Sequence, residues 1–331
     1  MTATTNPSGA EIQPFTICSW NLRYDSQPNS VTVAQSIANL PDPLKAPARY
    51  LTNTNERPWS ERRIPVANTL SQSSSDIIGF QEALKRQIDD ISELLGEKEW
   101  DWVGVGRDNG SEAGEYCPIF FRRSRFQLVE WDTFWLSNEP FSPSKYPGAG
   151  SYRLCTVAHL RDLTTSQTLK VLNTHLDDRS DAQRRLGASL LLHRARFEGH
   201  VNHSRVILLG DFNSSQDGRD GGAYGIVAGG VAPVSIDNQF EKKFPVSQDE
   251  EFRLLDIKAE TPRQFTSGHY ATFTGFVSPT NTSNFTRIDF IFGGSNKGWI
   301  ARSYRVENSL TDDGLWMSDH RPVFCSLELI D

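Results

Sequence analysis

The chain has 331 residues, 37% of them hydrophobic, with 41 acidic against 34 basic side chains and a net charge of −7. That length can bury a substantial core, as one large domain or two small ones. No apolar run approaches the roughly 20 residues that span a bilayer, and the acidic balance argues against nucleic-acid binding through an overall basic surface.

The opening stretch MTATTNPSGAEIQPF has no basic n-region and no apolar h-region. It reads as a short disordered tail over residues 1–13, not as a signal peptide. FTICSWNL then reads as a strand. Residues 25–57 carry breakers in PNS, LPDPLKAPA and NERP and are expected to form an irregular insertion. ERRIPVANTLSQ has helical spacing, with Ile64, Ala67 and Leu70 on one side. SDIIGFQE is a strand, followed by a helix with a Leu84, Ile88, Ile91, Leu95 stripe that stops at Gly96. WDWVGVG, CPIFFRR, FQLVEWDTFWLS, SYRLCTVAHLRDL and TLKVLNTHL follow as strands joined mostly by turns, hence antiparallel. DAQRRLGASLLLHRARFEGH is the longest predicted helix, and RVILLGDF, TRIDFIFG, ARSYRVE and RPVFCSLEL complete the strands. Many strands with interspersed helices and no strict βαβ alternation predict an α/β sandwich of two sheets with outer helices. No repeat or interdomain linker interrupts it, so residues 14–331 are expected to form a single domain. Cys18, Cys117, Cys155 and Cys325 each sit in or beside apolar stretches with no CxxC spacing. Buried reduced thiols and an intracellular, cytoplasmic location are expected.

Several predicted strands end in polar side chains. Asn21 ends ICSWN, Glu82 ends IIGFQE, His175 ends VLNTH, and Asp211 and Asn213 follow VILLG. Asp289 sits within RIDFIF, and Asp319 and His320 form SDH before the last strand. Each alone has a plain structural explanation: Asp and Asn make turns, Glu82 could open a helix, and a lone histidine is commonly a satisfied core residue. Asp289 is harder to dismiss, because a charge flanked by Ile288 and Phe290 needs a partner. Alternation on an extended segment also points Asp211 and Asn213 the same way.

SWNLRYD, DIIGFQEAL, GVGRDNGSEAGEYCPIFFRRSRF, TFWLS, NTHLDD, LLGDFNSS, RIDFIF and SDHRPV occur in the order seen in the endonuclease/exonuclease/phosphatase superfamily. The chain resembles that DNase I-like superfamily from about Phe15 to the C-terminus, and within it a poorly characterised subgroup; the long segment between Asp25 and Trp59 departs from it. The resemblance implies a four-layer sandwich of two packed mixed, largely antiparallel sheets flanked by helices. It also implies a catalytic domain that hydrolyses a phosphate ester with metal assistance. Glu82 would bind the metal directly, and Asn21 and Asp319 would complete the shell directly or through water. That oxygen-only set suits Mg²⁺, with Mn²⁺ as a substitute, better than Zn²⁺. Asp211 would orient or deprotonate the attacking water, Asn213 would hold a phosphoryl oxygen, and His320, oriented by Asp289, would bind or protonate the transferring centre. His175 would be a second phosphate-facing histidine supported by Glu115. Arg107, Arg153, Arg179 and Arg184 lie near motif loops, where an arginine can grip phosphate. Tyr270 and Phe273 offer an aromatic wall, whereas Trp135 reads as core. A small or soluble phosphorylated substrate, monoester or diester, leads. A nuclease acting on DNA or RNA is the main alternative, followed by a membrane-lipid phosphodiesterase. A binding or adaptor protein on an inactive scaffold is the alternative of another class.

Overall fold

A computed structural model describes residues 13–42, 45–46, 55–217, 220–247 and 251–330. All but the last residue of the expected tail, and part of the 25–57 segment, lie outside them. In chain order the strands are β1 (Phe15–Asn21), β2 (Ile77–Gln81), β3 (Trp100–Val103), β4 (Ile119–Arg122), β5 (Phe126–Trp135), β6 (Leu154–Asp162), β7 (Thr168–His175), β8 (Arg205–Asp211), β9 (Leu254–Asp256), β10 (Thr266–Gly268), β11 (Asp289–Gly294), β12 (Trp299–Val306) and β13 (Val323–Leu329). The α-helices are α1 (Val33–Ala38), α2 (Trp59–Gln72), α3 (Lys85–Leu95), α4 (Asp181–Arg196), α5 (Gly222–Val227), α6 (Asn238–Lys243) and α7 (Ile257–Glu260).

β1, β2, β7 and β8 are buried at nearly every residue because both faces are covered. In β8 the side chains of Ile207 and Leu209 enter the core shared by the two sheets, while Val206 and Leu208 enter the layer beneath the helices. One sheet has the order β10-β12-β13-β1-β2-β4-β3 and the other β5-β6-β7-β8-β11-β9. Phe15, Ile17, Ile77, Val171, Ile207, Ile291 and Val323 fill the space between them. α2 and α3 cover the first sheet through Trp59, Val66, Leu70, Ile88 and Ile91. α4, α5 and α6 cover the second through Leu186, Leu190, Ile226 and Phe240. The result is the expected four-layer sandwich of mixed sheets: β1 runs parallel to β2 and β7 parallel to β8, and the other named pairings except β10 with β12 are antiparallel.

The 25–57 segment is more ordered at its start than its composition predicts. Thr32 and Gln35 form a reciprocal capping box on α1. The fully buried Arg63 of α2 donates to the Val31 and Thr32 carbonyls and to the Ser36 hydroxyl, and pairs with Asp90 of α3 at 2.9 Å. The four cysteines are buried and unpaired, as expected. Among the described residues no helix is long and apolar enough to cross a membrane.

Candidate active site

Strand register brings the polar ends together. His175 of β7 lies opposite Asp211 of β8, and Asp289 of β11 lies opposite Asp211 from the other side. One row across three adjacent strands therefore carries a histidine and two carboxylates. From the other sheet, Asn21 ends β1 opposite Gln81, Glu82 follows β2, and His320 precedes β13, which pairs antiparallel with β1. The two sheets meet here through side chains. Asn21 Nδ2 donates to Glu82 Oε1 at 3.0 Å and to Asp211 Oδ2 at 2.9 Å. His320 Nδ1 lies 2.9 Å from Asp289 Oδ2, and its Nε2 lies 3.6 Å from Asp211 Oδ2. Three of the non-glycine residues with left-handed backbone occur at this cleft: Arg23 (φ 55°), Glu82 (φ 59°) and Asn213 (φ 44°). Such backbone is held only where the surroundings over-determine it, and it concentrates at functional sites.

Burial and charge set the protonation states. Burial, with the neighbouring Asp289 carboxylate, pushes Asp211 up to about 7. Burial opposes a charge on His320, yet the Asp289 and Asp211 carboxylates prevail and hold its pKa well above the ordinary histidine value. His175 goes the other way: burial, then the Arg153 and Arg107 guanidinium groups, keep it neutral. Burial also raises Asp319, with the negative Glu82 adding to the shift.

Glu82 and Asp319 are two carboxylates with oxygens that could serve a hard divalent cation. Among the described residues the one side-chain hydrogen bond to the Asp319 carboxylate is a 3.3 Å contact from the Ser318 hydroxyl. The nearest cationic atom to Glu82 is Arg23 Nη1, at 3.9 Å. Glu82 also accepts the Asn21 amide and, at 3.2 Å, the Tyr24 N–H, and each carboxylate keeps lone pairs that an ion with oxygen ligands could use. Asn21 adds an amide oxygen that accepts from the Arg23 N–H at 2.9 Å and keeps a second lone pair. Asp211, Asp289 and His320 also bring ligand atoms within 4.8 Å of one another, a spacing that could hold a cation. Within that group His320 Nδ1 is bonded to Asp289, while its Nε2 faces Asp211 Oδ2 at 3.6 Å.

The model of the endonuclease/exonuclease/phosphatase family matches residues 18–320. The chain belongs to this family. Its members are generally phosphoester hydrolases that use divalent metals. No curated protein matches the sequence. Among solved structures, the endonuclease/exonuclease/phosphatase from Bacteroides vulgatus is 25% identical, with 96% of this chain and 99% of that one covered and a TM-score of 0.72. The mannosyl-6-phosphatase of Bacteroides thetaiotaomicron is 26% identical over 95% of this chain and 99% of that one, with a TM-score of 0.69. TDP2 of D. rerio, complexed with a single-strand DNA product, is 16% identical over 95% and 99% of the two chains (TM-score 0.56) and shares the fold.

Several expected contacts differ. Both N–H groups of Asn213 are engaged, to His175 Nε2 at 2.9 Å and to the Leu176 carbonyl at 3.0 Å, so the side chain fixes the His175 ring. Glu115 is not bonded to His175; Arg107 takes both its oxygens at 2.6 and 2.8 Å, and burial pushes the carboxyl up to about 7. Arg184 is spent on structure, donating to the Asp177 carbonyl and facing Asp181 and Asp220. Arg179 is exposed and faces Asp178. Phe273 packs edge-on against His320 with ring centroids 5.0 Å apart, whereas Tyr270 is 59% exposed and lies against Lys258. Trp135 is core, and its indole N–H donates to the Arg107 carbonyl at 2.8 Å.

Sequence reasoning missed the residues that align the motifs. The Ser318 hydroxyl donates to the Asn21 carbonyl at 2.6 Å, and the Trp20 indole to the His320 carbonyl at 3.1 Å. Gln81 and Asn173 bridge the sheets at 2.7 Å. Thr272 Oγ1 accepts the Ile288 and Asp289 N–H groups, both at 3.0 Å. Asn173 within the apolar VLNTH run, and Gln81 before Glu82, were the available signals: amides on fully buried strands require partners.

Proposed function

We propose that the protein is a Mg²⁺-dependent phosphoester hydrolase acting on a small, soluble phosphorylated substrate. The observation that carries this reading is the convergence of Asp211, Asp289 and His320, tied through Asn21 to Glu82, with the Asp319 carboxyl raised beside them. Mg²⁺, or Mn²⁺ in its place, held by Glu82, Asp319 and Asn21, would withdraw charge from a phosphoryl oxygen and from the leaving oxygen. Asp211 orients the attacking water and takes its proton, a task suited to a carboxyl with a pKa of about 7. Asn21 anchors Oδ2 and the Asn213 backbone N–H anchors Oδ1, which together fix the orientation of the carboxylate. His320, kept cationic by Asp289, donates to the phosphate or to the leaving oxygen. Asn213 locks the neutral His175 ring beside them.

The net charge of −7 favours a small ester over a nucleic acid, and the 26%-identical mannosyl-6-phosphatase supports the same choice. The test is hydrolysis of p-nitrophenyl phosphate and bis-p-nitrophenyl phosphate with Mg²⁺, followed by phosphorylated sugars, nucleotides, lipids and oligonucleotides. Activity abolished by EDTA and restored by Mg²⁺ is expected. Metal-independent turnover, or none on any ester, would reject the reading, and none at all would leave an inactive binding scaffold.

A further inference from the structure

The Arg23 side chain lies between two carboxylates. One is Glu56, near the end of the 25–57 segment. Its Oε1 accepts Arg23 Nε at 3.1 Å and the Ser26 hydroxyl at 2.7 Å, and its Oε2 lies 3.5 Å from Arg23 Nη2. The other is Glu82, whose Oε2 lies 3.9 Å from Arg23 Nη1, beyond hydrogen-bond reach. The guanidinium also rests over the Tyr24 ring, 4.3 Å from its centroid. Burial opposes the charge on Arg23, but the Glu56 hydrogen bond and the charges of Glu82, Asp319 and Glu56 outweigh it and hold its pKa above the ordinary arginine value. A permanent cation therefore stands in the field of both carboxylates proposed to hold the metal.

The backbone beneath this side chain is pinned. Arg23 is left-handed, its N–H donates to Asn21 Oδ1 at 2.9 Å, and its carbonyl accepts from Arg62 Nη2 at 3.1 Å and Gln87 Nε2 at 3.0 Å. Only the side chain can move. It is 27% exposed, and exposed side chains change rotamer rapidly. A guanidinium forms the same forked pair with either carboxylate, so exchanging Glu56 for Glu82 replaces one ion pair by another. Glu56 in turn is held in place: the Ser26 hydroxyl donates to its carboxylate, and Gln27 Nε2 donates to its carbonyl at 3.1 Å. A guanidinium and a divalent ion on the same carboxylate repel at a few ångströms, so occupancy of Glu82 by one disfavours the other.

We infer that Glu56 sets the metal affinity of the site by holding Arg23 off Glu82, and that the guanidinium competes with the ion once this hold is lost. The inference rests on the metal reading of Glu82 given above. Arg23 and Glu56 are positioning residues in it, and neither is a ligand. The segment in which the chain departs from its family thereby acts on the metal site through one ion pair.

The test is calorimetric titration of Mg²⁺ into the full chain as wild type, Glu56→Gln, Arg23→Met, the double variant and Glu82→Gln, with melting temperatures to establish folding. Glu56→Gln should weaken Mg²⁺ binding by about threefold or more, and Arg23→Met should tighten it by a similar factor, the size expected of a partly screened charge pair. In the Arg23→Met background, Glu56→Gln should have a clearly smaller effect, because no guanidinium is left to release. Arg23→Gln takes the place of Arg23→Met if the latter folds poorly. Unchanged affinity in Glu56→Gln would overturn the inference. So would an equal loss in both backgrounds, which would make Glu56 a distant charge only. Affinity that falls in Glu82→Gln but not in Glu56→Gln would remove this role and keep the metal reading. A wild type that binds no Mg²⁺, or binds it equally well as Glu82→Gln, would remove both.

Discussion

Asp289 is fully buried, and both its oxygens lie within 3.1 Å of His320 Nδ1. That carboxylate, opposed by burial and aided by Asp211, is what raises the His320 pKa. Asp289→Asn removes the charge, so the His320 pKa falls. If turnover requires protonated His320, the alkaline limb of the pH–rate profile should move to lower pH and the maximum rate should drop. NMR titration of His320 alongside the rate profile checks this; superimposable profiles and an unmoved titration would disprove the pairing. Glu82→Gln should weaken Mg²⁺ binding by at least about tenfold, since it takes a charge from an oxygen-only site, while leaving the melting temperature within a few degrees. Calorimetry with unchanged Mg²⁺ affinity would remove Glu82 from the ligand set.

At the scale of single elements, α2 organises the cleft without touching the reacting groups. Its Arg62 is fully buried and donates to five backbone carbonyls: Leu22 and Met317 at 2.7 and 2.8 Å, Arg57 and Arg23 at 3.0 and 3.1 Å, and Tyr24 at 3.4 Å. One guanidinium thus ties the loop after β1 to the loop carrying Asp319. Truncation in Arg62→Ala strands those acceptors and leaves a void, so a loss of about 3 kcal/mol or more is expected in denaturant unfolding; a loss under about 1 kcal/mol would mean that water replaces the side chain. β2 is equally constrained. A Cβ on Gly79 would meet Leu209 Cδ1 at 1.9 Å and Asn173 Cγ at 2.9 Å, across the space between the sheets. Gly79→Ala should cost about 1–3 kcal/mol through overpacking, measured by the same unfolding curves, and an unchanged midpoint would show that the sheets can separate freely.

At the scale of the whole molecule, two buried histidines outside the active site contribute acid sensitivity, while the raised carboxyls of Asp211 and Glu115 work the other way. Burial lowers the pKa of His159, helped by Lys170, and of His193, so the folded state binds these protons more weakly than the unfolded chain. Their contribution is complete above the unfolded value of about 6.5 and is lost as the pH falls through the lowered folded values. The wild type should therefore lose more melting temperature between pH 7.5 and pH 5 than a His159→Gln/His193→Gln variant, in which all other groups titrate alike, and identical profiles would contradict the burial effect.

Much of this architecture follows from local pattern alone. Both-face apolar runs such as RVILLG can only be central strands, and polar residues at their ends mark one rim of the sandwich. Asp211, Glu82, His320 and Asp289 were legible for that reason. The opening of the 25–57 segment was not, because its order depends on Arg63 reaching back from α2 to carbonyls some 30 residues earlier. Nor could the sequence show that Glu115 pairs with Arg107, that Asn213 spends its amide on His175, or that Arg184 serves the Asp177 loop. By itself the sequence determined which residue types stand at which strand ends, since periodicity and burial are local properties. Tertiary structure alone decided which of them meet, because a side chain's partner is set by register and by inter-sheet packing, as between Asn21 and Asp211, which lie 190 residues apart.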